Sequence, residues 1–276
     1  MLRFELKTVK IFDDTMFIGK TQYKNMEGVV MRKIVGIFVM TIVLSLHIVS
    51  PVIRVRASEG DNIKRIEDEI KMVNIVFGGG DIVVESWNES CIGFCVEKGK
   101  NSNGYEYTYS VKDKGLYIEA SQKNGYSSKI GDNKVYLFMP EEKAVNLFEI
   151  VNGNGNAQIE KVNCMEMDIY SATGTVEISD LVANDVNIVV GLGKVDMKGT
   201  IKSNFDVLCN AGEVNAELNG LMREHNYVIE TIFGRAKIGR NNYGMLSNNM
   251  IDNRAKSNFD LECVAGEIIL EFRGEK

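Results

Sequence analysis

Six stretches of this chain share one residue spacing. An apolar residue opens each stretch, a second follows at +2, a glycine falls at +7, and apolar or small residues sit at +9 and +11. The openers are Phe148, Met167, Val186, Phe205, Tyr227 and Phe259, and the glycines are Gly155, Gly174, Gly193, Gly212, Gly234 and Gly266. The first four glycines stand 19 residues apart, and the next gaps are 22 and 32. A fixed period of about 20 residues marks a stacked architecture, and it constrains the fold more than any local motif does.

Within a stretch, positions +0, +2 and +4 alternate with other residues, as in Phe205-Asp206-Val207-Leu208-Cys209. Alternation at period two puts one set of side chains on one face of a strand. A turn follows at +5 to +7, for example Asn152-Gly153-Asn154-Gly155 or Asn210-Ala211-Gly212, and there glycine can take positive φ without steric cost. A second short strand then begins, carrying Val176 and Ile178, Val195 and Met197, or Val214 and Ala216. One such unit cannot bury its apolar face alone, but stacked units can. The expected fold is all-β: a single-stranded β-solenoid, or β-helix, of about 19-residue two-strand coils, with a less regular N-terminal β layer. Two segments are near copies: Ser203-Asn204-Phe205-Asp206 with Cys209, Ala211-Gly212-Glu213, and Ser257-Asn258-Phe259-Asp260 with Cys263, Ala265-Gly266-Glu267.

Val73, Ile75, Gly80, Ile82 and Val84 hold the same positions earlier in the chain. Between Trp87 and Pro140 the period lapses, although strands are expected over 91–97, 105–111, 115–120 and 134–139. Ile63, Ile66, Ile70 and Val73 have helical spacing, so a short helix competes with a strand that starts near Ile70.

Residues 31–57 read as a basic start, an apolar run from Ile34 to Val49, Pro51, and a small residue at Ala57. That order describes a secretory signal peptide cut after Ala57. Arg54 and Arg56 beside the cut keep an uncleaved anchor over 34–50 as the alternative. Codons for Met26-Glu27-Gly28 can spell a bacterial ribosome-binding site ahead of Met31, so residues 1–30 are expected to be an upstream extension that the native protein lacks. The organisation expected is therefore 31–57 as signal or anchor, 58–147 as an irregular N-terminal β part, and 148–276 as the glycine-centred repeats.

Of 32 basic and 38 acidic residues, 9 and 4 fall in residues 1–57, leaving 23 and 34 and a net charge of −11. Such a module repels nucleic acid, so none is expected as a partner. The membrane is expected as a partner only through residues 34–50. Five cysteines make an odd and low count for a disulfide scaffold. Cys209 and Cys263 share the +4 position. With the Tyr227 unit between them they would stand roughly 10 Å apart, too far to bridge, and so they read as small buried hydrophobes. Cys91 and Cys95 lie too far apart along one strand to pair, and Cys164 falls in a connecting segment and stays free.

The chemistry-bearing motifs are few. Past residue 57 the one histidine is His225, expected in a solvated turn, and nucleophilic catalysis needs such a base. Gly78-Gly79-Gly80-Asp81 lacks the helix and the Lys-Ser/Thr of a phosphate loop. Carboxylate pairs such as Glu141-Glu142 and Asp260-Glu262 fit a solvated acidic face better than a lyase groove. No catalytic residue, cofactor or metal is expected. Tyr105, Tyr107 and Tyr109 alternate along one strand face, with Trp87 and Tyr126 near in sequence. They are the candidate ligand-binding residues, since stacked aromatics suit sugar or peptide contact. The alternative is that they cover the core of the N-terminal layer.

These features together resemble the bacterial putative-adhesin β-solenoid family, an extracytoplasmic domain of unknown function. The resemblance covers about residues 70–272. It rests on Val73-Asn74-Ile75 through Gly80-Asp81-Ile82-Val83-Val84, on Gly115-Leu116-Tyr117-Ile118, on Val135 to Met139 ending in Pro140, and on the glycine repeats after Phe148. It implies a secreted or cell-surface binding module, an adhesin contacting an unidentified glycan or protein ligand, and it supplies no catalytic residues. The rival readings are a membrane-tethered structural or sensory domain of the envelope and, last, a carbohydrate-active enzyme.

Overall fold

Inward and outward residues alternate along the strands as a period of two requires. Strand β12 (Asp185–Val190) buries Val186, Ile188 and Val190 and turns Asp185, Asn187 and Val189 outward. The computed structural model describes residues 53–54, 63–97, 105–122 and 134–274. These are all-β apart from one 3-10 turn, η1 (Met222–Glu224), and their 21 strands form one curled, mixed sheet.

Two parallel ladders make up most of that sheet. The first runs β3 (Met72–Phe77), β9 (Ala144–Asn152), the C-terminal half of β10 (Asn156–Ser171), β12, β14 (Asn204–Cys209), β20 (Ser257–Cys263) and β16 (His225–Thr231). The second runs β4 (Asp81–Trp87), the N-terminal half of β10, β11 (Thr175–Ala183), β13 (Lys194–Ile201), β15 (Glu213–Leu218), β21 (Glu267–Phe272) and β17 (Arg235–Ile238). The repeat openers meet in register: Phe148 on Met167, Met167 on Val186, Val186 on Phe205, Phe205 on Phe259 and Phe259 on Tyr227. The +2 residues Ile150, Ile169, Ile188, Val207, Leu261 and Ile229 form a second buried row, each no more than 4% exposed.

Both ends of the ladders are covered by antiparallel strands, which removes open parallel edges that would invite aggregation. At one end β7 (Gly115–Gln122) and β8 (Lys134–Pro140) continue the ladders beside β3 and β4. Over them lie β6 (Tyr105–Lys112) and β5 (Ile92–Glu97), with β1 (Ile53–Arg54) on β6 and β2 (Lys64–Ile66) on β5. At the other end β19 (Asn248–Ile251) pairs with β16, and β18 (Asn241–Tyr243) with β17.

Several expectations need correction. Residues 64–66 form a strand and not a helix; Ile66 and Ile70 are buried by the sheet while Ile63 is 43% exposed. The spatial order at the C-terminal end is not the chain order. β20 lies directly on β14, and β16 lies beyond it, so Cys209 and Cys263 are register neighbours instead of two steps apart. Both thiols are free and buried; contact with Cys263, then burial, pushes the Cys209 thiol up. Phe272 is consequently interior, that end of the ladders is covered by β18 and β19, and Arg273 pairs with Glu217 at 2.9 Å. Cys164 sits inside β10 and is buried, its thiol pushed up to about 12 by burial and then by Asp168 and Glu166.

The repeat glycines also serve another purpose than the one expected. Among the described glycines, positive φ occurs at Gly80, Gly220 and Gly239, with Gly199 at 154°, and not at Gly155, Gly174, Gly193, Gly212, Gly234 or Gly266. A Cβ at any of these six would run into the carbonyl oxygen of the matching glycine on the neighbouring level. Close approach of the stacked bends, not backbone handedness, demands glycine there.

Candidate functional site

Two of the three stripe tyrosines do not face solvent. Tyr107 and Tyr109 are 5% and 8% exposed and belong to the core under the end layer. Tyr109 packs on Phe94 with ring centroids 5.3 Å apart, and Lys64 Nζ stands 4.9 Å from its ring centre. Tyr105 opens β6, but its side chain, like Tyr126, lies outside the described residues. Trp87 stacks on Phe138 at 5.3 Å and donates to the Cys91 carbonyl at 2.8 Å. The sequence signal for this outcome was present. Glu106, Thr108 and Ser110 alternate with the tyrosines, so the more apolar set turns inward.

His225 is buried as well, at the start of β16 instead of in a solvated turn. Its ring stacks on Phe259 with centroids 4.1 Å apart. Ser257 Oγ donates to the Ser203 carbonyl at 2.5 Å, which leaves the same oxygen to accept from Nδ1–H of His225 at 2.7 Å. A serine oxygen held this way, 4% exposed, fastens β16, β20 and the entry to β14 together; it is not placed to attack a substrate. Burial lowers the His225 pKa from 6.5, with Glu224 opposing. A base whose folded pKa is depressed contributes stability above its unfolded pKa, and that contribution is lost as pH falls below about 6.5. Thermal melts from pH 7.5 to 5.5 should therefore show a loss of melting temperature in the native chain that His225→Gln lacks. An unchanged pH slope in that variant would exclude the role.

The outward face of the first ladder is the most organised surface. It is a grid of three columns about 6.8 Å apart along the strands and rungs about 4.8 Å apart across them. β9 contributes Leu147, Glu149 and Val151, and β10 contributes Glu166, Asp168 and Tyr170. β12 contributes Asp185, Asn187 and Val189, and β14 contributes Asn204, Asp206 and Leu208. Two columns thus carry carboxylates and amides, while the third is aliphatic with one tyrosine.

Amides bind four of these acids. Asn187 donates to Asp168 at 2.7 Å and to Glu166 at 3.3 Å, Asn204 donates to Asp185 at 2.6 Å, and Asn74 donates to Glu149. Burial raises the pKa values of Glu149, Glu166 and Asp168, and neighbouring carboxylates add to the rise at Glu149 and Glu166. Burial, then the same carboxylates, pushes the Tyr170 hydroxyl up to about 12. The second ladder's outward face differs. There Lys194 bridges Asp196 and Glu213 at 3.2 Å each, Lys198 meets Glu217 at 3.2 Å, and Arg235 meets Glu267 at 2.6 Å. Exposed pairs of this kind add little stability and neutralise the surface.

The stacked bends form a third surface. Leu192 and Phe233 project from the tips at 70% and 69% exposure, with Ala211 and Ala265 on the levels between them. Among the described residues no group of three or more His, Cys, Asp or Glu is placed to hold a metal, and no helix is long and apolar enough to cross a membrane.

No protein-family model matches the chain, and no curated protein matches it. Solved structures similar to it include a "putative cell adhesion protein" from Clostridium sporogenes ATCC 15579, 18% identical with a TM-score of 0.41, covering 77% of this chain and 98% of that one. A "putative adhesin" from Bacteroides fragilis NCTC 9343 is 12% identical with a TM-score of 0.31, covering 78% and 99%. Another, from Parabacteroides distasonis ATCC 8503, is 15% identical with a TM-score of 0.37, covering 78% and 98%.

Proposed function

We propose that the chain is a non-catalytic binding module, secreted or displayed at the cell surface. It works as an adhesin that contacts glycans or proteins through the outward faces and loops of a β-solenoid. The two in-register ladders, joined level by level through the glycine bends, support reading the curled sheet as successive coils. The observation that carries the function is the grid on the first ladder. Rows of acceptor oxygens beside Val151, Tyr170, Val189 and Leu208 offer hydrogen bonds and apolar contact at a fixed repeat. That combination suits a ligand rich in hydroxyl or N–H donors that bears apolar patches. Repetition along the ladder suits many weak contacts with a polymer.

The test is retention of the full chain on immobilised glycans and peptides. Tyr170→Ala and Asp168→Asn, both on the outer face, should each weaken binding on the order of 10-fold while the melting curve is kept. Unaltered binding by both variants, or no retention of the native chain on any surface, would refute the proposal.

A second reading keeps residues 34–50 as a membrane tether for an envelope domain. It is favoured by β1, which lies within residues 31–57 and pairs Ile53 with Tyr109 and Arg54 with Thr108. Cleavage after Ala57 would strip that strand from β6. Intact masses from culture medium and from washed membranes separate the two: a chain starting at Ser58 in the medium means release, and one starting at Met31 on membranes means a tether.

A further inference from the structure

The last strand pair of the chain is not last in space. β20 and β21 fill a slot whose walls are β14 and β15 on one side and β16 and β17 on the other. Both walls are complete in sequence by residue 238. The chain passes the slot, builds the far wall, adds β18 and β19 outside it, and then returns across the start of β16 to fill the gap.

The register pairing that seats β20 and β21 is therefore made with wall strands that precede the returning segment. Phe259 lies between Phe205, at 5.3 Å and edge to face, and the rings of Tyr227 and His225. Ser257 bonds Ser203 and His225, Arg273 pairs with Glu217, and Glu267 pairs with Arg235. The near identity of 203–213 and 257–267 follows from this placement. The two segments stack on each other in register, Asn204 on Asn258, Phe205 on Phe259, Asp206 on Asp260 and Cys209 on Cys263.

The connection that makes the closure intramolecular is residues 252–256, which pair in neither ladder. Arg254 in that segment has φ of 56°, the left-handed region that L-residues other than Asn and Asp avoid. Asn226 pins the segment by accepting from the N–H groups of Asn253 and Ala255 and donating to the Ala255 carbonyl. Extending the segment would relieve Arg254 and carry β20 and β21 away from their own slot.

We propose that β20–β21 is an exchangeable closing element, and that this chain forms a reciprocal strand-exchanged dimer in which each copy's β20–β21 fills the other's slot. A second copy is the partner that fits, because it supplies the same residues in the same register to the same two walls. The proposal is independent of the ligand read for the outer face.

The test refolds the full chain from denaturant over a range of concentrations, using light and 15N-labelled chains mixed before refolding and read by native mass spectrometry. Proline fixes φ near −65° and cannot take the conformation of Arg254, so Arg254→Pro should raise the dimer fraction severalfold over the native chain. Arg254→Gly relieves the bend and should lower it. Mixed-label dimers should form only through unfolding, and pre-formed dimers should not scramble without denaturant. Monomer alone at every concentration for native and variant chains, or a dimer that exchanges partners freely in native buffer, overturns the proposal. Should Arg254→Pro fail to fold, the native chain refolded at high concentration decides between the same outcomes.

Discussion

Replacing Ile188 by Asp is expected to abolish cooperative unfolding of the chain. Ile188 is 1% exposed and lies in register between Ile169 and Val207, midway along the first ladder. Its inward neighbours on β12 are Val186 and Val190, and no Lys or Arg is among the described buried residues. A carboxylate there would either stay charged without a partner or take up a proton and remain an unsatisfied polar group, at a cost of several kcal/mol. A domain stable by about 5–15 kcal/mol does not tolerate that at its centre, and neighbouring rungs depend on this one for their own burial. Ile188→Val, which removes one methylene, should cost only about 1 kcal/mol. Denaturant melts followed by circular dichroism would separate the two. An Asp variant that melts as sharply as the native chain would overturn the in-register core.

That core was largely legible beforehand. Constant steps of 19 from Phe148 to Phe205 leave one register in which apolar residues stack, and the ladders adopt it. The unequal later gaps, 22 and 32, were not decodable from spacing alone, because a spacing says how much chain separates two units and not which level each occupies. The information lay elsewhere, in the matching of 203–213 with 257–267, since near-identical segments gain most by stacking on each other. At the opposite end, β7 and β8 repeat the inward pattern, with Leu116 beside Val73 and Val135 beside Ile82. The long connection over 123–133 hid that period.

The candidate face was legible only as polarity. Outward positions such as Glu149, Asp168, Asn187 and Asp206 read as a solvated acidic surface, and nothing local shows that they stand in one column. Their alignment, and the row of Val151, Tyr170, Val189 and Leu208 beside it, exist only once levels stack. The burial of Tyr107 and Tyr109 on β6 escaped sequence reading for a related reason. Alternation assigns residues to two faces, and the layer packed against the strand decides which face is wet.

Gly193→Ala should be strongly destabilising, because a methyl group has no room between the stacked bends. Its Cβ would meet the Gly174 carbonyl oxygen and, at 2.6 Å, Ser171 Oγ. Both belong to the level beneath: Ser171 donates to the Gly174 carbonyl at 2.9 Å, and that carbonyl also accepts from the Lys194 amide at 3.0 Å. A methyl group can be admitted only by lifting one bend off the next, which breaks these bonds and loosens the buried rows on either side. Overpacking plus the lost bonds amount to about 2–4 kcal/mol, or a melting temperature lower by roughly 5–15 °C for a domain of this size. Gly78→Ala is the control, because nothing lies within 4 Å of its added methyl; its effect should stay within about 0.5 kcal/mol. Gly193→Asn discriminates the cause. Were glycine kept for a left-handed backbone, Asn, which tolerates that region, would be milder than Ala. Because stacked bends leave no room for any Cβ, Asn should be at least as harmful as Ala, and an Asn variant more stable than the Ala variant would return the glycine ladder to a backbone explanation.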